Sequence, residues 1–210
     1  MNLMGFDADT FGNHNFDRGI SPLQHLINLA EDPRTPRCDS PCRTVFQYVS
    51  ANLRNRDANL TGVKDFEIFD VGGVRVAVIG ITNPEAPTLV FPGSFGTIEV
   101  TNPIPAANKA RAAALLAGAK LFIAITHLGV TFVDPATDAP SGPLIDFANN
   151  VGGFNVIIGD HTDFQYQGIH NNALVVENRS KGLTYARLQL SVDPFNGRVK
   201  IGRASCRERV

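Results

Sequence analysis

The chain has 210 residues, of which 43% are hydrophobic and 19% are charged, and its formal net charge is -1. This composition is that of a globular chain long enough for one domain with a substantial core. Acidic and basic residues are interspersed, so the sequence offers no cationic patch for a nucleic-acid polymer or an anionic membrane surface. No apolar run approaches the roughly 20 residues that span a bilayer, and the first residues lack the pattern of a secretory signal.

The first half of the chain predicts one helix and several strands. Residues 22–31 place apolar side chains at helical spacing, and residues 45–49 form a short run typical of a strand. Residues 66–71 and 74–81 are rich in β-branched side chains and flank Gly72-Gly73, which predicts a hairpin.

The second half alternates helices with buried strands. We expect helices at 106–116 and 144–149, strands at 121–126 and 156–159, and two further strands at 173–177 and 183–192. Strand-helix-strand units mixed with hairpins indicate an α/β fold with a mixed sheet or two packed sheets.

Three loops each carry a histidine beside small or turn-forming residues. They are Gly12-Asn13-His14-Asn15-Phe16-Asp17, Thr126-His127-Leu128-Gly129 and Gly159-Asp160-His161-Thr162-Asp163. One histidine at a strand end is more often a hydrogen-bonded structural residue than a metal ligand. Two of these histidines lie just after buried strands, at the strand ends where α/β folds bind ligands, and three such loops favour a joint site.

The order and surroundings of these loops resemble the calcineurin-like metallophosphoesterases, and specifically their 5'-nucleotidase branch, over residues 1–200. The first loop is similar to that family's Gly-Asn-His-Glu motif, and residues 49–53, 71–82 and 83–87 are similar to the segments between motifs. The resemblance implies a layered α/β sandwich of two mixed β-sheets flanked by helices. It also implies hydrolysis of phosphate monoesters, nucleotides above all, with two divalent ions of Zn, Mn or Fe.

The resemblance assigns roles to individual residues. Asn13, His127 and His161 would bind one metal, Asn13 through its amide oxygen. His14 would face the phosphoryl group and the leaving oxygen, and Asp17 would orient its imidazole and keep it protonated, as acid–carboxylate pairs do.

Two residues depart from the family pattern. Asp163 stands where the last motif, Gly-Gly-His-Thr-His, has the other metal's histidine; a carboxylate there can still bind a metal, or Asp163 only caps a turn. Asn15 replaces a glutamate at a position that is not a metal ligand, so we expect it to be tolerated.

The family's Asp-x-His and Gly-Asp motifs, which supply further ligands, have no counterpart before Gly12, and neither does its C-terminal substrate domain after residue 200. We therefore expect a fragment truncated at both ends and inactive by itself, from a periplasmic, cell-surface or secreted enzyme. The alternative is a non-catalytic metal-binding or structural domain derived from the same fold.

Other polar residues have simpler interpretations. We expect Asp9 to be a surface or turn residue, His25 to flank the apolar face of its helix, and His170 to lie in a turn between strands. Residues 178–182 form a polar turn, which is more typical of a solvated hairpin than of a phosphate contact.

Three cysteines remain. Cys38 and Cys42 have a spacing that allows a disulfide loop in an oxidising compartment or two free thiols. Cys206 belongs to residues 201–210, which resemble one reading frame of a DNA-sequencing adapter, and we interpret that decapeptide as a non-native tail.

Overall fold

The computed structural model of the chain describes residues 5–32, 46–193 and 199–208. In these ranges the α-helices are α1 (Ile20–Glu31), α2 (Pro103–Leu116) and α3 (Pro143–Asn150). Single 3-10 turns occur at Asn13–Phe16, Arg56–Ala58 and Ala86–Thr88. The strands are β1 (Ala8–Asp9), β2 (Gln47–Val49), β3 (Leu53–Arg54), β4 (Val63–Lys64), β5 (Phe66–Val71), β6 (Val74–Ile81), β7 (Glu99–Val100), β8 (Leu121–Thr126), β9 (Phe132–Val133), β10 (Pro140–Ser141), β11 (Val156–Gly159), β12 (Tyr166–His170), β13 (Ala173–Glu177), β14 (Thr184–Val192) and β15 (Val199–Glu208).

The main sheet has six strands in the order β12-β13-β11-β8-β6-β5. Its four inner strands are parallel, while β12 and β5 pair antiparallel at the two edges. The inner strands are continuous apolar runs because both faces of a parallel sheet are covered. Their carboxyl ends therefore meet at one edge of the sheet, which is where two of the histidine loops begin.

A second, smaller sheet consists of the parallel strands β1, β2 and β4. It is tied to the main sheet through the backbone, since Ala51 N–H donates to Gly80 O at 2.9 Å. The mixed α/β fold in several sheets confirms the layered architecture expected from the sequence.

Two hydrophobic cores support these sheets. The larger one packs α2 and α3 against the main sheet through small alanines such as Ala107, Ala110 and Ala114 and through Phe147. The smaller one surrounds α1, whose Leu23 and Ile27 are buried against Phe11, Phe16 and Tyr48. Each core thus fixes one set of loops: the larger fixes those after β8 and β11, the smaller that after β1.

Most predicted elements occur where expected. The hairpin and the strands at 121–126 and 156–159 agree with β5, β6, β8 and β11. α2 begins at Pro103 rather than residue 106, because the Asn102 side chain accepts from Ile104 N–H and caps a helix that tolerates proline in its first turn. The prediction that His170 lies in a turn was wrong, because His170 ends the edge strand β12.

Two predictions are not tested by the structure. The cysteine pair Cys38 and Cys42 lies outside the described residues, so its pairing stays a prediction. β15 pairs antiparallel with β14 and covers most of the decapeptide interpreted as non-native, an interpretation that also stays a prediction. Of the helices in the described ranges, none is both long and apolar enough to cross a membrane.

Candidate metal centre

Three loops follow the carboxyl ends of parallel strands from the two sheets. β1 leads into the turn Asn13–Phe16, β8 leads into His127, and β11 leads into Asp160 and His161. β8 and β11 are neighbours in the main sheet, so their following residues start side by side. The sequence thus delivers polar side chains from two sheets to one place.

The first loop is held by the two aromatic side chains that bracket it. Phe11 and Phe16 are fully buried, and Phe16 stacks on Phe95 with ring centroids 3.8 Å apart. The Asn15 side chain accepts from Gly12 N–H at 2.8 Å and closes the turn. This anchoring places Asn13 inside, only 5% exposed, and leaves the adjacent His14 outside.

Asn13, His127 and His161 lie together, and we refer to them as the imidazole–amide cluster. His127 Nε2 is 3.1 Å from Asn13 Oδ1 and 3.0 Å from His161 Nδ1. Two ligands of one tetrahedral ion are about 3.4 Å apart, given metal–ligand distances of about 2.0–2.2 Å. The cluster is therefore close to the dimensions of a metal site, although its role as a ligand set stays a prediction.

Asp160 fixes the orientation of the His127 ring. Its Oδ2 is 3.2 Å from His127 Nδ1, and burial alone would raise its pKa, but hydrogen bonds from His127 and from the His161 backbone lower the pKa below the ordinary value. An ionised Asp160 holds the proton of His127 on Nδ1, so that Nε2 presents a lone pair. Such a carboxylate–histidine pair is the usual support of a metal-binding imidazole.

The protonation of His161 favours the same chemistry. Its burial, together with the nearby His127, lowers its pKa, so the neutral ring with a free lone pair is favoured at neutral pH. When the His127 proton lies on Nδ1 facing Asp160, the Nε2 lone pair faces the oxygen lone pairs of Asn13 at 3.1 Å. A cation between them would satisfy both groups, so the donor set fits a divalent ion.

Close packing maintains this geometry. A Cβ atom added to Gly12 would lie 2.6 Å from the His127 ring, so only glycine lets the first loop approach His127. His161 has a φ of 93°, a backbone conformation that is uncommon and costly for a residue with a side chain. Such strained positions cluster at functional sites and persist only where the surroundings enforce them.

His14 and Asp17 form a separate pair on the same loop. His14 Nδ1 lies 2.9 Å from Asp17 Oδ2, and their side chains are 82% and 51% exposed. Since Asp17 engages Nδ1, the other ring nitrogen is the one that can meet a substrate oxygen. This is the geometry that a positioned general acid requires, and its catalytic role stays a prediction.

A cavity of about 500 Å³ opens beside these residues. His14, His127 and Asp160 line it, together with Asn178 and Arg179 from the polar turn after β13. That turn therefore borders the candidate site.

Asp9 also lines the cavity, and the expectation that it is a surface or turn residue was wrong. It is the second residue of β1 and is partly buried. Burial raises its pKa to about 6, and repulsion from Asp160 adds to this increase, while a hydrogen bond from Thr10 N–H partly opposes it. A strand of two residues has no periodic signal, so sequence reasoning could not place it.

Asp163 differs from the imidazole–amide cluster in its exposure and its backbone conformation. It is exposed and has a φ of 58°, a conformation that aspartate tolerates in turns. Within residues 5–32, 46–193 and 199–208, no group of three or more His, Cys, Asp or Glu side chains is arranged to hold a metal. The imidazole–amide cluster contains only two such side chains, because its third member is the amide of Asn13.

The remaining histidines lie elsewhere. His25 is exposed on α1. His170 Nε2 is 2.6 Å from Tyr166 Oη, and its Nδ1 is 3.1 Å from Asn149 Oδ1, so it ties β12 to α3. Asp160, missed as a functional residue, carried one signal: an acid directly between a buried strand and His161.

Several curated proteins are similar to this chain in sequence. The chain is 30% identical over 173 residues to a snake venom 5'-nucleotidase of Gloydius brevicauda, covering 80% of this chain and 25% of that protein. It is 28% identical over 195 residues to an endonuclease of Bacillus subtilis (strain 168), covering 92% of this chain and 16% of the relative. The chain thus spans a quarter or less of these relatives' lengths. No family model matches the sequence.

Solved structures share the fold. A 5'-nucleotidase precursor from Thermus thermophilus superposes with a TM-score of 0.75 at 23% identity, covering 96% of this chain and 38% of that one. A calcineurin-like phosphoesterase from Bacillus subtilis gives 0.74 at 21% identity, covering 99% and 65%. The chain is therefore homologous to the 5'-nucleotidases and calcineurin-like phosphoesterases, and it has their fold.

Proposed function

We propose that the chain is part of a metal-dependent hydrolase of phosphate monoesters, with nucleotides as its substrate class. The observation that carries this proposal is the imidazole–amide cluster at the strand ends, in which Asn13 Oδ1 and His161 Nδ1 lie 3.1 Å and 3.0 Å from His127 Nε2. Homology to 5'-nucleotidases supports the reaction and the substrate class.

The metal would be held by Asn13, His127 and His161, with Asp160 orienting His127. Divalent ions in such sites supply activation of water and neutralisation of phosphoryl charge. Zn, Mn or Fe fits a set of two imidazoles and an oxygen ligand. In the complete enzyme we propose two ions, with Asp163 as a ligand of the second.

His14 would deliver the proton to the leaving oxygen. Asp17 fixes the ring through Nδ1, so the acid is aimed before substrate arrives. The exposure of the pair suits this role, because the pair must reach a bound phosphate ester and not a buried ion. Arg179, on the cavity rim, is placed to add positive charge near the same oxygen atoms.

The 210 residues alone would hold at most one divalent ion, weakly, and would not hydrolyse a phosphate ester. One site keeps three ligands, whereas the other keeps at most Asp163, and a lone exposed carboxylate cannot hold an ion against water. We propose that residues 1–200 are a partial catalytic domain, that 201–210 are a non-native tail, and that the parental enzyme is periplasmic, cell-surface or secreted. The name of one relative, a snake venom 5'-nucleotidase, supports the proposal of a secreted enzyme.

A non-catalytic metal-binding or structural domain is the second candidate. It is favoured by the exposure of Asp163, which leaves the second site without a preorganised ligand. Under this alternative the cluster would still bind an ion, but the His14–Asp17 pair would have no chemical role.

The experiment compares the 210-residue chain with a version extended upstream. Metal content and hydrolysis of AMP, a chromogenic monoester and a phosphodiester are measured with Zn²⁺ and Mn²⁺. We expect at most one ion and no turnover for the short chain, and two ions with AMP hydrolysis for the extended one. Turnover by the short chain would contradict the ligand count, and an inactive extended chain with two ions would favour the second candidate.

A further inference from the structure

Glu177 is a fully buried carboxylate beside the candidate metal centre. It ends the apolar strand β13 and is 0% exposed. β13 lies next to β11, with Glu177 paired in register with Gly159. Burying a carboxylate is costly unless hydrogen bonds replace its hydration, so the partners of Glu177 indicate what it does.

Its two oxygens bind two different loops. Oε2 accepts from Val130 N–H at 2.7 Å, in the segment after His127. Oε1 accepts from Thr162 Oγ1 at 2.7 Å and from Thr162 N–H at 3.3 Å, in the segment after His161. Phe164 N–H adds a longer contact at 3.4 Å. One side chain therefore ties together the backbones that carry both imidazoles.

The two loops also contact each other directly, and Glu177 adds the acceptor for their backbone N–H groups. Thr162 Oγ1 lies 2.7 Å from Val130 O as well as from Glu177, and a hydroxyl has only one proton to donate. A Cβ atom on Gly129 would collide with the Thr162 side chain. The loops thus meet at van der Waals distance, and Glu177 is the acceptor that satisfies the N–H groups of both.

We infer that Glu177 is a positioning residue that holds the His127 and His161 loops at the spacing needed for one ion. The inference rests on the proposed metal centre. It also accounts for the strained backbone of His161, whose φ of 93° needs enforcement from its surroundings, because Glu177 fixes the very next residue.

The test uses the 210-residue chain, the variants Glu177→Ala and Glu177→Gln, and Asn52→Ala as a matched control. Asn52 is also a buried polar residue, 1% exposed, and its side chain bonds Thr82 and Thr101 rather than the two loops. Zn²⁺ and Mn²⁺ affinity is measured by calorimetry, and hydrogen exchange of the Val130 and Thr162 amides by NMR.

We expect Glu177→Ala to weaken metal binding roughly 10–100-fold, the range typical of groups that orient metal ligands, and to speed exchange at both amides. Glu177→Gln keeps one acceptor oxygen but turns an amide N–H₂ towards one loop, so only one of the two amides should exchange faster. If Glu177→Ala does not fold, the isosteric Glu177→Gln carries the test. Asn52→Ala should leave metal affinity and both amides unchanged.

Wild-type affinity and wild-type exchange in a folded Glu177→Ala, or in Glu177→Gln where the alanine variant does not fold, would overturn the inference. An equal loss in Asn52→Ala would also overturn it, since general destabilisation would then explain the effect. If the wild-type chain binds neither ion, the imidazole–amide cluster is not a metal centre by itself and that part of the proposed function fails, while exchange at Val130 and Thr162 still decides whether Glu177 holds the two loops.

Discussion

The imidazole–amide cluster and the His14–Asp17 pair are neighbours in the chain, yet they are built in different ways. Asn13 is 5% exposed and the His127 side chain 14%, whereas the His14 side chain is 82% exposed. The cluster is positioned by strand ends, by Gly12 and by Asp160, so its geometry precedes any ligand. The pair depends on a single 2.9 Å contact within one turn.

This difference separates two tasks. A preorganised, partly buried cluster suits an ion that must be held with fixed ligand geometry. An exposed acid with one orienting carboxylate suits proton delivery to a substrate that comes and goes. A change at one of the two sites should therefore impair its own task and leave the other task intact.

The largest effect is expected for His14→Asn. In an extended version of the chain that hydrolyses AMP, turnover should fall about 10²–10⁴-fold, because general-acid help is worth that much, while metal content stays unchanged. Steady-state kinetics and elemental analysis measure the two. His25→Asn, a change at an exposed histidine on α1, is the control and should leave turnover intact; equal activity in His14→Asn would remove His14 from the mechanism.

Asp160→Asn should act on the other task. Without the negative charge of Asp160, the acceptor for the His127 Nδ1 proton is weaker and the ring is less firmly oriented, so we expect Zn²⁺ affinity to fall roughly 10–100-fold. Calorimetry on the 210-residue chain measures this. Asp138→Asn makes the same charge change at an exposed turn position and should have no effect; unaltered affinity in Asp160→Asn would mean that the carboxylate does not support His127.

Asp9 makes stability depend on pH. Its pKa is raised from 3.8 to about 6 in the fold, so folding favours the protonated form. The stability contributed by Asp9 is fully present below about pH 4 and is lost as pH rises through 6. A shift of about two units corresponds to at most about 3 kcal/mol, and water access should reduce it to about 1–2 kcal/mol.

Asp9→Asn should therefore raise the free energy of unfolding at pH 8 by that amount and leave it unchanged near pH 4. Urea denaturation with a chelator present measures both values. A gain of equal size at both pH values would show that the effect is not due to ionisation, and Asp138→Asn again serves as the exposed control.

The smallest effect is expected for Asn15→Ala. This change removes the acceptor for Gly12 N–H, so the free energy of unfolding should fall by about 0.5–1 kcal/mol. Metal affinity should change little, because Phe11 and Phe16 still anchor the loop. Thermal denaturation measures the first quantity; a large loss of metal binding instead would show that the Asn15 turn, and not the aromatic anchors, positions Asn13.

The sequence predicted those parts of the fold that depend on local pattern. Continuous apolar runs ended by glycine or histidine located β8 and β11, and the Gly72-Gly73 turn located the β5–β6 hairpin. The edge strand β12 was missed because Gly168 and the following asparagines are typical of turns, while its half-buried alternation is weak.

The candidate site likewise contains residues that the sequence predicted and residues that it did not. Asn13, His127 and His161 could be named from strand ends and motif resemblance, and the fold brings them together. Asp9 and Glu177 could not be named, because their roles depend on contacts between strands that are distant in sequence. An acid ending the buried run at residues 173–177 was the one available signal for Glu177.

Anomalous diffraction from crystals of the 210-residue chain grown with Zn²⁺ shows whether the imidazole–amide cluster holds a metal ion. We expect one zinc peak at the imidazole–amide cluster, within about 2.0–2.2 Å of Asn13 Oδ1 and of a ring nitrogen of each of His127 and His161, and we expect this peak to be lost in His127→Ala. Zinc bound elsewhere, with the cluster empty at saturating metal, would contradict this expectation.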